Sequence, residues 1–197
     1  MDDKTLCDKI KQVSDGLETA ADAMREIYLE MKDKIYTFIL LHVGKQNKYL
    51  AEDILHETFI AVYDSAKNFR SFTNPRAWLL TIARNKAVSQ IRMLSRTVNM
   101  EDEFFDSADY STPFTDETGT ESLLSCLSEK DREIVVLHAI YGFKHREIAK
   151  ITNQPLGTVT SRYKRSLDAM RKSLTITEQS PVDKNFKYSI ESEVENI

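Results

Sequence analysis

The amino-acid sequence predicts an all-α protein of two small helical domains joined by an acidic, flexible linker, with a helix-turn-helix in the C-terminal domain. Apolar residues recur at spacings of three and four along several stretches, which is typical of amphipathic helices. Glycine and proline are scarce, five and four in 197 residues, which disfavours a turn-rich all-β fold. Residues 97–128 hold eight carboxylates and no lysine or arginine, and they separate two basic segments.

The composition argues against several classes of protein. No apolar run approaches the ~20 residues of a membrane span, and the polar N-terminus lacks a signal-peptide core, so we expect a cytoplasmic protein without membrane insertion. Cys7 and Cys126 are far apart, which predicts unpaired thiols. Because no phosphate loop, metal-ligand cluster or nucleophile motif is present, we expect no catalytic residues, no metal and no cofactor.

Charged residues are distributed unevenly along the chain. The chain carries a net charge of −4, which argues against a strong free-standing DNA-binding protein. Residues 21–96 nevertheless hold 12 basic and 8 acidic residues, and residues 129–174 hold 10 and 5. This pattern predicts two DNA-facing domains on a tether.

The predicted first domain spans residues 21–96 and contains three helices, after a polar extension, residues 1–20, to which we assign no structure. The first helix runs from Asp22 to about Val43 and the second from Lys48 to about Ala66. Asn74 is a plausible N-cap for the third helix, which starts at Pro75 and reaches about Ser95. The apolar stripes include Met24, Ile27, Met31, Ile35, Phe38, Leu55, Phe59, Val62, Leu79, Ile82, Ala83, Ala87, Ile91 and Leu94.

Residues 97–120 are the predicted linker, residues 121–174 the second domain and residues 175–197 an acidic tail. Glu121 to Leu127 form a short helical turn. Ser128 then caps a helix that we expect to run to Tyr141, before Gly142. The residues that this helix should bury include Ile134, Val135, Leu137 and Ile140.

The stretch from Lys144 to Leu174 reads as a short helix, a tight turn and a long helix. Asn153 can adopt the left-handed conformation of the turn, and Pro155 suits the first turn of the long helix. The buried stripe of that helix is expected at Leu156, Val159, Tyr163, Leu167, Met170 and Leu174. Its opposite face carries Thr158, Ser161, Arg162 and Arg165, which can read base edges and hold phosphates. The alternative is an ordinary helical hairpin with a solvated basic face.

Two features of the first domain also suggest binding, one of a protein partner and one of single-stranded nucleic acid. Asp53, His56, Glu57 and Ile60 share the outer face of the second helix, which is either simply solvated or docks a basic protein partner. The loop and helix that follow combine aromatic and basic residues, which suit unstacked single-stranded bases. Phe72 and Trp78 could instead belong to the core.

Two motif sets in a fixed order resemble a known family. AEDILHETFIAVYDSAKNF (51–69) with NPRAWLLTIARNKAVSQIR (74–92) is similar to the promoter-melting domain of bacterial sigma factors. The segment LSEKDREIVVLHAIYGFKHREIAKITNQPLGTVTSRYKRSLDAMRKSL (127–174) is similar to their second conserved domain. The short chain with a connector in place of a middle domain resembles the extracytoplasmic-function group.

This resemblance implies an alternative sigma factor with three kinds of partner. The first is core RNA polymerase, which it would contact at the clamp helices and the flap. The others are promoter DNA, both duplex and melted, and an anti-sigma factor. Docking on the polymerase would use Asp53, His56, Glu57 and Ile60. Melted minus-ten DNA would contact Phe69, Arg70, Phe72, Asn74, Arg76, Arg84, Asn85 and Arg92. The minus-thirty-five element would contact Lys144, Arg146, Thr158, Ser161, Arg162 and Arg165.

The sequence departs from the family pattern at three positions. His56 replaces the usual glutamine, Lys144 replaces a capping serine or threonine, and Asn153 replaces the turn glycine. Lysine is a poor N-cap, so we expect Lys144 to contact phosphate instead. Two alternative functions remain open: a helix-turn-helix regulator that binds duplex DNA unaided, and an all-helical protein that sequesters a partner.

Overall fold

The computed structural model describes residues 1–16, 19–70, 74–97 and 120–177, with side chains in the last two ranges described for residues 74–96 and 123–174. These ranges contain the helices α1 (Asp3–Asp15), α2 (Ala20–Val43), α3 (Lys48–Ser65), α4 (Pro75–Thr97), α5 (Thr120–Ser125), α6 (Glu129–Ala139), α7 (His145–Thr152) and α8 (Leu156–Thr177). A 3₁₀ turn, Ala66–Asn68, follows α3. No strand occurs in the described ranges, and the predicted all-α class is confirmed. The acidic linker and the tail lie largely outside them.

Helix α1 forms where the sequence analysis assigned no structure. The Asp2 carboxylate accepts a hydrogen bond from the Thr5 backbone N–H at 2.7 Å, which caps the helix start. Leu6, Ile10 and Val13 are buried along one face that packs on α2. These three buried residues in a helix of thirteen make a weak periodic signal in the sequence. The helix is stabilised chiefly by packing on its neighbours. Residues 1–16 therefore belong to the same folded unit as α2.

Helices α2, α3 and α4 pack pairwise and enclose the core of the first domain. Phe38, Ile39, Ile54 and Leu79 are fully buried there. The predicted helix boundaries agree with the structure to within two residues. One predicted core position was wrong: Leu94 is 39% exposed, because the last turns of α4 extend beyond the core.

The second domain comprises α5 to α8. Ser128 Oγ accepts from the Asp131 backbone N–H, so the predicted cap of α6 is confirmed. Helix α6 ends at Ala139, two residues earlier than predicted, because the chain already turns before Gly142, whose φ is +72°. Two predicted core positions were wrong: Ile140 lies past the helix end and is 46% exposed, and Leu156 lies in the first turn of α8 and is 42% exposed.

The two domains are in contact through α4 and α7. One contiguous apolar cluster includes residues of both domains, such as Ala83 and Ala87 on α4 and Ile148 and Ile151 on α7. The sequence pattern predicted two domains on a tether and did not predict this packing. It brings α4 of the first domain against α7, the first helix of the helix-turn-helix.

Candidate nucleic-acid interface

The helix-turn-helix forms as the sequence predicts. Asn153 adopts the left-handed conformation, with φ +52°, and its N–H donates to the carbonyls that end α7. On α8, Val159, Tyr163 and Met170 are buried, whereas Leu167 and Leu174 are half-buried. The buried face leaves the opposite side of α8 available to solvent.

The outward face of α8 carries the predicted contacts for the upstream DNA element. Ser161 and Arg165 are exposed, while Thr158 and Arg162 are half-buried. Arg165 Nε donates to the Ser161 carbonyl at 3.4 Å, which lays the guanidinium along the helix. Arg162 Nη1 donates to Asp131 Oδ1 of α6 at 2.8 Å, so this cation is already partly neutralised.

The start of α7 adds two exposed cations, Lys144 and Arg146. Lys144 occupies the N-cap position with extended backbone, and the Glu147 carboxylate accepts from its backbone N–H at 2.9 Å. The lysine side chain has no acceptor and cannot cap the helix, and it is exposed to solvent. Its predicted contact with phosphate stays a prediction. Glu147 thus supplies the reciprocal half of a capping box.

His145, the first residue of α7, lies in an aromatic cluster. Its ring centroid is 4.9 Å from that of Tyr163 and 4.9 Å from that of His138, which itself packs on Tyr163 at 4.7 Å. His138 Nδ1 also hydrogen-bonds the Phe143 carbonyl at 2.8 Å. Burial, and then the nearby His138, lower the pKa of His145. This cluster joins α6, α7 and α8.

In the first domain, the predicted contacts for melted DNA lie along α4. Asn74 Oδ1 accepts from the backbone N–H groups of Arg76 and Ala77, which confirms the predicted cap. Asn85 and Arg92 are exposed. Arg76 pairs with Asp3 at 3.0 Å and donates to the Met1 carbonyl at 2.6 Å, so α1 covers part of its guanidinium.

The loop before α4 is only partly described. The Phe69 ring packs on Trp78 at 5.1 Å between centroids, and both side chains are half-buried. Arg70 is exposed, and Phe72 lies outside the described residues. Trp78 is therefore not fully buried in the core, and its ring is in contact with that of Phe69.

The most constrained cation of α4 is Arg84. Its Nε donates to Glu133 Oε1 of α6 at 2.6 Å, and its Nη2 reaches Glu133 Oε2 at 3.4 Å. The Glu133 side chain is only 3% exposed and that of Arg84 17%. Neither Glu133 nor the buried His42 was predicted from the sequence. A carboxylate beside Ile134 and an imidazole beside Leu41, each in an otherwise apolar run, were the available signals.

The predicted docking face borders a groove between α2 and α3. Asp53, His56 and Ile60 are exposed, and Ile60 exposes 63% of its surface. Glu57 is half-buried, because it accepts from Gln90 at 3.0 Å and pairs with Lys86 at 3.5 Å on α4. The groove, of about 730 Å³, is lined by Ala21, Met24, Arg25, Tyr28, His56, Phe59, Ile60 and Tyr63.

The described part of the chain contains neither a metal-binding cluster nor a membrane-spanning helix. No group of three or more His, Cys, Asp or Glu side chains is placed to hold a metal ion there. Helices long and apolar enough to cross a membrane are likewise missing from the described ranges. Cys7 and Cys126 are free thiols.

Comparisons with known proteins agree with the two-domain arrangement. Residues 27–97 match the family model of sigma-70 region 2, and residues 120–170 match that of sigma-70 region 4. The extracytoplasmic-function sigma factor SigW of Bacillus subtilis is 31% identical over 182 residues, which cover 84% of this chain and 95% of SigW. The extracytoplasmic-function sigma factor RpoE of Cereibacter sphaeroides is 26% identical over 175 residues, 84% of this chain and 93% of that protein.

A solved structure shows the same fold. The sigma factor RpoE from Bartonella quintana, in complex with the anti-sigma factor NepR, superimposes with a TM-score of 0.60 at 26% identity. The match covers 77% of this chain and 96% of that one. By its two region models, its relatives and its fold, the chain belongs to the extracytoplasmic-function group of the sigma-70 family, the alternative sigma factors that direct transcription initiation by RNA polymerase.

Proposed function

We propose that this chain binds core RNA polymerase in the cytoplasm and brings it to a two-part promoter, without catalysing a reaction itself. Residues 21–96 act at the minus-ten element, residues 121–174 at the minus-thirty-five element, and residues 97–120 connect them. The observation that carries the proposal is that each sigma-like segment presents one long helix with exposed polar and cationic side chains. These are Asn85 and Arg92 on α4, and Ser161 and Arg165 on α8.

At the minus-ten element, α4 and the loop before it bind the melted strand. Phe69, Arg70, Phe72, Asn74, Arg76, Arg84, Asn85 and Arg92 are the proposed contacts. Unstacking a base costs a few kcal/mol, and stacking on an aromatic side chain returns roughly 1–3 kcal/mol per base. Phosphate contacts from the arginines supply the remainder, and this contribution falls as the salt concentration rises.

At the minus-thirty-five element, α8 enters the major groove. Thr158, Ser161, Arg162 and Arg165 contact base edges and nearby phosphates, while Lys144 and Arg146 at the start of α7 hold the backbone. The aromatic cluster of His138, His145 and Tyr163 supports this arrangement, because it fixes α7 and α8 on α6.

The polymerase clamp helices dock on the outer face of α3 at Asp53, His56, Glu57 and Ile60, and the second domain contacts the flap. An exposed isoleucine beside two carboxylates and the apolar groove suits a basic amphipathic helix. An anti-sigma factor is a further proposed partner, since the similar RpoE from Bartonella quintana was solved in complex with the anti-sigma factor NepR.

Run-off transcription from a library of promoter fragments tests this function, with core RNA polymerase in the presence and absence of the chain. We expect initiation that depends on the chain and that selects fragments sharing a two-part motif. No initiation together with tight duplex binding by the chain alone, ~10⁻⁸ M or better, would favour an unaided helix-turn-helix regulator. No initiation and no DNA binding would favour a sequestering protein.

A further inference from the structure

The exposed face of α8 is centred on a ridge of three residues, Gly157, Ser161 and Lys164. An α-helix turns by about 100° per residue, so residues three, four and seven positions apart share one face. The buried line of α8 is formed by Val159, Tyr163, Ser166 and Met170. The ridge lies opposite that line, and its three residues are exposed, whereas Thr158 and Arg162 lie on its flank and are half-buried. The centre of the exposed face is therefore the ridge rather than Arg162.

Packing within the chain does not explain the glycine at position 157. A Cβ atom built on Gly157 would meet no neighbouring group of the described chain within 4 Å. The backbone of Gly157 is helical, whereas Gly142, with φ +72°, adopts a conformation that other residues disfavour. Glycine also loses more conformational freedom than alanine when a helix forms. A helical glycine that the fold does not require is typical of a position where another molecule approaches the backbone closely.

The length and the charge of the ridge match the major groove of duplex DNA. From Gly157 to Lys164 the helix rises by about 10 Å, which fits within the ~12 Å width of the groove. Ser161 Oγ donates to the Thr158 carbonyl at 3.1 Å, and its lone pairs can still accept a hydrogen bond. Asp168 follows one turn after Lys164 on the same side of α8, and DNA phosphates would repel its carboxylate. The part of the ridge that suits DNA therefore ends between Lys164 and Asp168.

Lys164 carries the cation nearest the centre of this face. Its side chain is exposed, and no carboxylate among the described residues pairs with it. Arg162, by contrast, is paired with Asp131. The lysine ammonium has three donors and no acceptor, so it suits the O6 and N7 acceptors that guanine presents in the major groove.

We propose that α8 meets the minus-thirty-five element along this ridge, with Gly157 at the closest approach, where a side chain would collide with the duplex, and Lys164 as a specificity-determining contact to a guanine. This inference rests on the proposed function, in which α8 enters the major groove, and it adds two residues to the contacts proposed there. A collision at Gly157 affects every DNA sequence alike, whereas the Lys164 contact discriminates at one base pair.

The first experiment compares stability and DNA binding in Gly157→Ala and Gly157→Leu. Urea unfolding of the full chain measures stability, and anisotropy of the fluorescent promoter fragment selected by run-off transcription measures binding by the holoenzyme. We expect the urea midpoint of Gly157→Ala to be equal to or higher than that of the unmodified chain, so a loss of binding cannot come from unfolding. The affinity should fall about tenfold for alanine and further for leucine. Unchanged affinity in both variants would overturn the close approach.

The second experiment exchanges each base pair of the selected upstream motif in turn and measures binding by holoenzyme with Lys164→Ala. We expect the preference for guanine to fall about tenfold at one position and to stay unchanged at the others. Lys172→Ala is the matched control, because it removes the same charge about 12 Å further along α8, beyond Asp168. This control should lower the affinity for all fragments alike, by less than twofold. A uniform loss for Lys164→Ala would overturn its role in specificity.

The unmodified holoenzyme separates this inference from the proposed function. If its initiation shows no preference for a two-part motif, the proposed function fails and this inference fails with it. If it selects such a motif, and Gly157→Ala and Lys164→Ala bind and select as the unmodified chain does, only this inference is overturned.

Discussion

At the scale of single residues, the cations on α8 differ in how tightly the fold holds them. Arg162 is half-buried and bonded to Asp131, so using it on DNA requires breaking an existing ion pair. Arg165 is exposed, and its guanidinium donates to the Ser161 backbone carbonyl of its own helix. Arg165 is therefore the better candidate for a phosphate contact that costs little rearrangement.

Arg165→Ala in the holoenzyme should weaken binding to the promoter fragment selected in the run-off experiment by roughly 1–2 kcal/mol. The loss should be similar for sequence variants of the fragment, and the slope of log K against log salt should fall by about 1, because one phosphate contact is lost. A salt titration followed by anisotropy measures both quantities. Arg171→Ala removes the same charge about 9 Å further along the helix and should have a smaller effect. An unchanged salt slope would contradict the phosphate role.

The lowered pKa of His145 makes the stability of the second domain depend on pH. The unfolded histidine titrates near 6.5, and in the folded chain burial and His138 hold its pKa below that value. The unfolded state therefore binds more protons as the pH falls through 6.5, and stability is lost from that pH downward. Thermal melts should show a larger drop in Tm between pH 7.5 and 5.5 for the unmodified chain than for His145→Gln. Parallel drops in the two proteins would contradict this assignment.

At the scale of secondary-structure elements, the features set by adjacent residues were predicted correctly, whereas those set by long-range packing were not. The caps at Asn74 and Ser128 and the left-handed turn at Asn153 were predicted correctly, because each depends on a few adjacent residues. Helix α1 was not predicted, since its stability depends on burying Leu6, Ile10 and Val13 against the first domain. Leu94, Ile140 and Leu156 were wrongly placed in the core, because periodicity shows neither where a helix ends nor how far along a helix the core extends.

The turn between α7 and α8 gives a test at this scale. Asn153→Ala should lower the free energy of unfolding by about 1 kcal/mol, because alanine is strained at φ +52°. Asn153→Gly should cost little or be neutral, since glycine adopts this conformation readily. Urea unfolding of the full chain measures both values. A loss for glycine as large as that for alanine would contradict this explanation, because both variants remove the asparagine side chain and only alanine is strained at this backbone conformation.

At the scale of the whole molecule, the surfaces proposed to bind polymerase and melted DNA differ in their exposure to solvent. The groove between α2 and α3 and the face of Asp53, His56 and Ile60 remain open to solvent. Arg84 on α4 is covered by the second domain.

Asp53→Lys should weaken binding to core RNA polymerase about tenfold, because a basic partner surface would then meet a cation. Asp15→Lys makes the same charge change at the exposed end of α1 and should leave assembly unaltered. Native gel shift or surface capture of the polymerase measures the difference. Normal holoenzyme assembly by the Asp53 variant would refute the docking face.

The sequence by itself determined the all-α class, the order of the helices from Ala20 onward, the helix-turn-helix and the polarity of its outer face. These features follow from the spacing of apolar residues and from capping side chains, which act within a few residues of each other. Only the tertiary structure decided that α1 completes the first domain, that Glu133 neutralises Arg84 and that Glu147 holds Asn74. The last two contacts join residues that are 49 and 73 positions apart in sequence. The local spacing of apolar residues does not determine which distant side chains form such a contact.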